Sequence, residues 1–364
     1  MKTVLQSRLG AVAAALLAAG ALYMNAAEAA TYVYVSNADS REIFVMEMNQ
    51  QNGDLTLLDK VAVTGTVMPM VVSPDRKFLY AALRSQPFSV ATFAIDARTG
   101  KLSAMTAGSL ADSMANIDLD RSGKYLLAAS YGGNKITVNP INPDGTVGPV
   151  KQIMATQPNA HAIHTDPANR YAFATNLGGD IVMQLRFDPA TGALTRNDPP
   201  DVSTRAKAGP RHFTFHPNGR FVYLINELDA TLYSYGYDAT KGTWKELQVV
   251  STLPPGAAVK PWAADLHFTP DGRFLYGSER NSSTISIYKV DADTGLVSLV
   301  GHMPTEKEPR GFNIDPSGRY LLAVGQASHA MSTYSIDQQT GQLTRLKAYG
   351  MGKNPNWVEI VTFP

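Results

Sequence analysis

Between Gly209 and Leu232 the chain reads "GPRHFTFHPNGRFVYLINELDATL". An apolar strand starts at Arg211-His212, turns at Pro217-Asn218-Gly219 and returns to Asn226-Glu227. A guanidinium, an imidazole and a carboxylate thus stand at one end of a single β-hairpin. Those groups can move a proton and stabilise a developing anion.

Comparable residues recur elsewhere at matching positions. The pattern of an apolar strand, a proline turn with Gly or Asn, a basic residue and an aromatic returns as "VVSPDRKFLY", "IDLDRSGKYLL", "IHTDPANRYAF", "HFTPDGRFLY" and "NIDPSGRYLL". Anchored on the proline or its equivalent, the repeats fall at Pro74, Arg121, Pro167, Pro217, Pro270 and Pro316, 46 to 53 residues apart. A second series of turns runs between them at Gly53, Gly100, Gly145, Gly192, Gly242, Gly295 and Gly341. Both series are hairpin signals. Four short strands in each period of this length predict an all-β fold, the β-propeller.

The ends of the pattern set the blade count. "TYVYVSN" at 31–37 matches the second strand of a blade that lacks a first, and "NPNWVEIV" at 354–361 matches a first strand with nothing after it. Sharing one blade between them gives seven blades and removes the open sheet edge. The expectation is a single seven-bladed domain over residues 30–364.

Positions four and two before each anchor are apolar, as a core-facing strand requires. Six before, the series becomes Met68, Ala115, His161, Arg211, Ala264, Arg310 and Asn356. Ten after, on the returning strand, it is Ala38, Arg84, Tyr131, Leu177, Glu227, Arg280 and Gln326. Both rings lie at the hairpin ends away from the proline turn, so they share one face around the central opening. His161, Arg211, Glu227, Arg280 and Arg310 therefore converge on one predicted pocket. Arg84, Tyr131 and Gln326 belong to the same ring, and His329 follows in the next loop. The bland alternative is that these are strand-end ion pairs, with Glu227 merely the partner of Arg211 or Arg280.

His164, three after His161, is expected on the opposite strand face, and His212, His216 and His267 in packing or hydrogen bonding between blades. No His/Asp/Glu cluster has metal-ligand spacing, and no nucleophile elbow, phosphate loop or dinucleotide fingerprint occurs. No metal and no cofactor are expected. With 44% apolar and 17% charged residues and a net charge of +1, the 364-residue chain is an ordinary globular protein without the basic character of a nucleic-acid binder. Residues 1–29 read as a secretory signal peptide: Lys2 and Arg8, an apolar run from Leu9 to Met24, then Ala27-Glu28-Ala29. Periplasmic export follows, with no membrane span in the mature chain. The chain has no cysteine and hence no disulfide. A monomer or weak dimer is expected.

The stretches "PMVVSPDRKFLY", "GPRHFTFHPNGRFVYLINEL", "WAADLHFTPDGRFLYGSER" and "EPRGFNIDPSGRYLLAVGQASH" resemble the bacterial seven-bladed-propeller 6-phosphogluconolactonases and their fungal muconate-lactonizing relatives. The resemblance runs from about Tyr32 to the C-terminus. It implies a hydrolase opening a sugar δ-lactone, with His161, Arg211, Glu227 and Arg280 as site residues and Arg310, Gln326 and His329 nearby. For such an ester, Glu227 is the expected base and His161 the runner-up, with Arg211 and Arg280 as oxyanion and orientation donors. Arg84, Tyr131, Arg310, Gln326 and His329 would contact substrate. Combined with the leader, the resemblance points to glucono-1,5-lactone, and to the 6-phospho form as a further substrate. The non-enzymatic alternative is a periplasmic propeller that binds a sugar acid or a protein partner without turnover.

Overall fold

Seven twisted antiparallel sheets stand around one axis in the computed structural model, which describes residues 29–364. The inner strands run in ring order: Pro355–Phe363, Val67–Val72, Asn116–Leu119, Ala160–Thr165, Pro210–Phe215, Ala263–Phe268 and Pro309–Ile314. Each touches the next, and the last touches the first. The blades are numbered one to seven in that order. Among the described residues the one helical element is the short 3-10 turn Leu177–Gly179, and no helix is long and apolar enough to cross a membrane. The proposed signal peptide lies outside the described residues but for Ala29.

Blade one is closed as the sequence predicts. The strand Ala30–Asn37 pairs on one side with Glu42–Met48 and on the other with Pro355–Phe363, running from Ala30 opposite Phe363 to Asn37 opposite Pro355.

The two series of turns turn out to lock blade to blade. The aromatic four residues after each anchor sits on the turn glycine of the following blade. A Cβ on Gly192 would fall 2.5 Å from the Tyr125 ring, and one on Gly242 would fall 2.1 Å from Tyr171. Tyr320 of blade seven meets Gly53 of blade one in the same way, which carries the lock across the closure. These glycines also have positive φ (72° at Gly192), so both backbone and space require glycine. Tyrosines two residues further along donate to the same turns: Tyr80 to the Gly145 carbonyl at 2.7 Å and Tyr276 to that of Gly341 at 2.8 Å. At the proline turns, Asp120, Asp166 and Asp315 each accept two backbone N–H groups of the returning strand, at 2.7–2.9 Å.

One local feature decides where the site forms. The register of the inner hairpin slips at the position six before the anchor: between Val67 and Met70, Ala160 and Ile163, Pro210 and His212, Ala263 and Leu266, and Pro309 and Gly311. Regular alternation would have carried His161, Arg211 and Arg310 into the line of core residues. A β-bulge instead re-aims the side chain at a strand end, as bulges beside active sites do.

Candidate active site

Arg211 stands on the inner strand of blade five, Glu227 directly follows the second strand of that blade (Phe221–Asn226), and Arg280 likewise follows the second strand of blade six (Phe274–Glu279). Arg211 Nε donates to Glu227 Oε2 at 2.9 Å, and Arg280 Nη2 lies 2.8 Å from the same oxygen. Arg211 Nη1 donates to the Ala264 carbonyl. Arg280 donates to the carbonyls of Trp262 at 3.0 Å and Ala263 at 3.1 Å, and its guanidinium lies 3.9 Å above the Trp262 ring. Both guanidiniums are thereby fixed in direction. Arg211 is 0% exposed and Arg280 3%.

Charge is unequally distributed in this pocket. Burial pushes the Glu227 carboxyl up, but the two arginines outweigh it and hold the group below its usual range. Burial, then the nearby Arg211, Arg280 and Arg84, push the Arg310 guanidinium well down. Burial and Arg211 lower Arg280 to about 10. One carboxylate thus faces four guanidiniums, which leaves a strongly anion-seeking site. Arg211 Nη2 and Arg310 Nε are buried without a protein partner. Such orphaned donors in a native protein are what an absent ligand or water would satisfy.

His161 completes the wall from blade four. Burial and then Arg211 push its imidazole well below the ordinary value, so it is neutral. Its Nδ1 is buried without a partner, which leaves Nε2 as the ring nitrogen available to a ligand. Tyr131, half-exposed at the mouth, meets His161 edge-on with ring centroids 6.0 Å apart. Burial and the neighbouring Glu227 raise the Tyr131 phenol. Arg84 is held by Ser113 Oγ at 2.9 Å and Met68 Sδ at 3.1 Å, with its charge in the field of Arg310.

Two expected members stand apart from this cluster. Gln326 Nε2 donates to Asn354 Oδ1 at 2.6 Å, and the exposed His329, at φ 52°, accepts the Asn354 N–H on Nδ1 at 3.1 Å. Both secure the rim between blades seven and one. Three further histidines link blades: His164 to Asp118 at 2.7 Å, His216 to the Gly272 carbonyl at 3.0 Å and His212 to Asp265 at 2.8 Å; His267 lies 3.2 Å from Asp265 of its own strand and packs against Phe312 of blade seven, with ring centroids 4.9 Å apart. With Glu359 and Trp357, most of them line an axial cavity of about 260 Å³. Among the described residues no group of three His, Asp or Glu is placed to hold a metal ion. Sequence reasoning missed Trp262, the platform beneath Arg280. Its signal was an aromatic at a strand entrance eight residues before Pro270.

Comparisons with known proteins agree with this fold. The family model described as lactonase, 7-bladed beta-propeller, matches residues 29–360. The 6-phosphogluconolactonase of Pectobacterium carotovorum subsp. carotovorum is 42% identical over 330 residues, covering 90% of this chain and 98% of that protein. That of Yersinia pestis is 40% identical over 328 residues, 90% and 97% of the two chains. Among solved structures, the periplasmic gluconolactonase of Pseudomonas aeruginosa superposes with a TM-score of 0.86 at 27% identity, covering 92% of this chain and all of that one. A putative 6-phosphogluconolactonase from Bacteroides fragilis gives 0.85 at 27% identity, with 93% and 99% covered. Seven blades, a closure shared by the two ends and a match across almost the whole propeller make this chain a member of the seven-bladed β-propeller lactonase family.

Proposed function

We propose that the protein hydrolyses the ring ester of a sugar δ-lactone in the periplasm, glucono-1,5-lactone foremost and its 6-phosphate as well, without a metal ion. The observation that carries this reading is the Arg211–Glu227–Arg280 clamp, with unspent N–H groups of Arg211 and Arg310 beside it. The family names of the relatives and the leader-like N-terminus add support.

A δ-lactone is already an electrophilic ester, so its opening needs a water made nucleophilic and a positive field at the carbonyl oxygen. Arg211, held by Glu227 and the Ala264 carbonyl, supplies that field from a donor oriented before substrate arrives, and Arg310 adds a second buried, unpartnered N–H. Two residues compete for the base. Glu227 Oε2 is taken by both arginines, and its carboxyl is held below its usual range, which makes it a weak base and a good anchor for the guanidiniums. His161 is neutral with Nε2 free, so we assign the base to His161. The oxyanion that forms offsets the arginine charge that depresses the imidazole, and so raises its basicity when it is needed. Water loses a proton to His161 Nε2 as its oxygen bonds to the carbonyl carbon. The ring C–O bond then breaks, and its oxygen takes that proton. The new carboxylic acid releases its own proton to solvent.

Purified mature protein is expected to release acid from glucono-1,5-lactone faster than the spontaneous rate, equally with and without EDTA. Acid release at the spontaneous rate alone would sink the assignment, and a loss with EDTA would sink its metal-free part.

Substrate charge has its own test. Arg84 follows a strand of blade two, whereas the clamp stands on blades five and six, and it is held by Ser113 and Met68 rather than by the clamp, which suits it to a phosphate at the far end of the sugar. Arg84→Ala is expected to lower kcat/KM on the 6-phospholactone by roughly tenfold more than on the neutral lactone, the worth of one charge-assisted contact. Equal losses on the two substrates would show that Arg84 reads no phosphate.

A further inference from the structure

His212 follows Arg211 on the inner strand of blade five, and the groups assigned above do not include it. Its Nδ1 lies 2.8 Å from Asp265 Oδ1 on blade six, and Asp265 Oδ2 lies 3.2 Å from His267 Nε2. Asp265 Oδ1 also accepts the Leu266 N–H at 3.0 Å. Burial pushes the Asp265 carboxyl up, but His267 and the hydrogen bond from His212 hold it well below the usual range, so it is ionised. A carboxylate at Nδ1 fixes His212 as the Nδ1–H tautomer and leaves the lone pair on Nε2.

That Nε2 is buried and has no partner. The ring next to it is His161, with centroids 5.1 Å apart and planes at 62°, and His161 Nδ1 is buried and partnerless too. Two orphaned nitrogens on neighbouring buried rings are uncommon in native proteins. One proton between them satisfies both: His161 Nδ1–H donating to His212 Nε2. An N–H···N bond needs the nitrogens roughly 3 Å apart, a spacing that a centroid separation of 5.1 Å allows when the two nitrogens are turned toward each other. Catalytic hydrogen bonds are often loose before substrate binds and tighten with it.

We infer that Asp265 and His212 form a relay behind His161, two positioning residues that keep the His161 proton on Nδ1 and its lone pair on Nε2, facing the lactone. The inference rests on the hydrolytic reading with His161 as base, and deepens it. His161 otherwise stands among positive groups: Arg211, Arg310 and Arg280, with His212 at its back. His212 in turn faces Arg211 and His164 as well as Asp265. When His161 takes the proton from water, Asp265 is the carboxylate along this line that offsets the imidazolium charge, with His212 carrying the connection. The proton returns from Nε2 to the ring oxygen, so the relay ends each turnover unchanged.

The experiment compares wild type, His212→Gln and Asp265→Asn in two measurements. In the first, acid release from glucono-1,5-lactone gives kcat and KM from about pH 3 to 9, a window that reaches below the ordinary imidazole range because His161 is held well under it. Both variants are expected to lose roughly 10- to 100-fold in kcat, a part of the roughly 100- to 10,000-fold that a general base contributes, while KM stays within about twofold. The double variant should be no worse than the poorer single one, as members of one relay are not additive. Removing the Asp265 charge makes imidazolium harder to form, so the acid limb of the kcat profile should move to lower pH in Asp265→Asn. In the second, imidazole ¹⁵N spectra should show His161 as the Nδ1–H tautomer in wild type and as Nε2–H in both variants. A wild type that hydrolyses the lactone alongside variants with unchanged kcat and unchanged His161 tautomer overturns the relay and leaves the hydrolytic reading standing. A wild type without lactone hydrolysis overturns the hydrolytic reading, while the tautomer still reports on the relay geometry. Should both variants fail to fold, the wild-type spectrum decides alone: His161 protonated on Nε2 overturns the inference.

Discussion

Glu227→Gln is expected to cost both activity and stability, and the second loss should depend on pH in a defined direction. The wild-type carboxylate holds Arg211 and Arg280 on a single oxygen, at 2.9 and 2.8 Å, with both guanidiniums almost wholly buried. Glutamine has nearly the same shape but no charge, and its amide N–H groups face donors that need an acceptor. Removing one partner of a buried ion pair costs about 3–5 kcal/mol, because the remaining charge is left without compensation. Here two remain, with Arg310 and Arg84 adding repulsion. The arginines should turn away from the carbonyl position, and kcat/KM should fall roughly 100- to 1,000-fold, the scale of losing an oxyanion donor. The folded-state pKa of Glu227 is lowered from 4.5, so its contribution to stability is full above that value and is lost as pH falls through the folded pKa. Denaturant unfolding should therefore show the gap between wild type and variant widest near pH 7 and closing below about pH 4.5. A variant within about 0.5 kcal/mol of wild type at pH 7, the scatter of an ordinary surface change, would mean that the clamp is not what holds these arginines.

Much of this arrangement was legible before any coordinates, because propeller repeats tie sequence period to geometry. The proline turns, the turn glycines and the split first blade led to seven blades, and the Tyr320 contact with Gly53 shows the same lock working across the seam. The clamp was legible for a related reason. Arg211, Glu227 and Arg280 broke an apolar series at fixed positions, and a buried polar group at a core register is informative. The reason these side chains escape the core was not legible. It is the register slip between Pro210 and His212 and its counterparts in other blades, a property of the backbone that strict alternation hides. Spacing put His161 on a polar ring and His329 only in the loop after one, and that difference holds: His329 turns to Asn354, whereas His161 sits within a strand and is buried. The His212–Asp265 contact crosses 53 residues between blades. Parity placed His212 away from the core line without revealing Asp265 as its partner.

Deleting residues 355–364 is expected to abolish folding, the largest effect foreseen for any change. The strand Pro355–Phe363 is the inner strand of blade one and pairs along the whole of Ala30–Asn37. It buries Val358, Val361 and Phe363, each worth about 1.5–3 kcal/mol on burial. It also ties the neighbouring blades, accepting Asn313 Nδ2 on the Val358 carbonyl at 3.0 Å and Arg76 Nη1 on that of Thr362 at 2.6 Å. Without it the ring has a gap at the axis, and Ala30–Asn37 becomes a long apolar edge of the kind that aggregates. Summed, these losses reach the whole stability of a typical domain, about 5–15 kcal/mol. Expression of the shortened chain should give insoluble protein with no cooperative unfolding transition. A circular permutant provides the control: Ala30 lies opposite Phe363, so joining the ends by a short linker and opening the chain at the exposed turn around Asp293 keeps every strand, with blade six closed by its two outer strands at the new ends. That permutant should fold and unfold cooperatively. A soluble, cooperatively unfolding 355–364 deletion would show instead that six complete blades hold the ring without the seam.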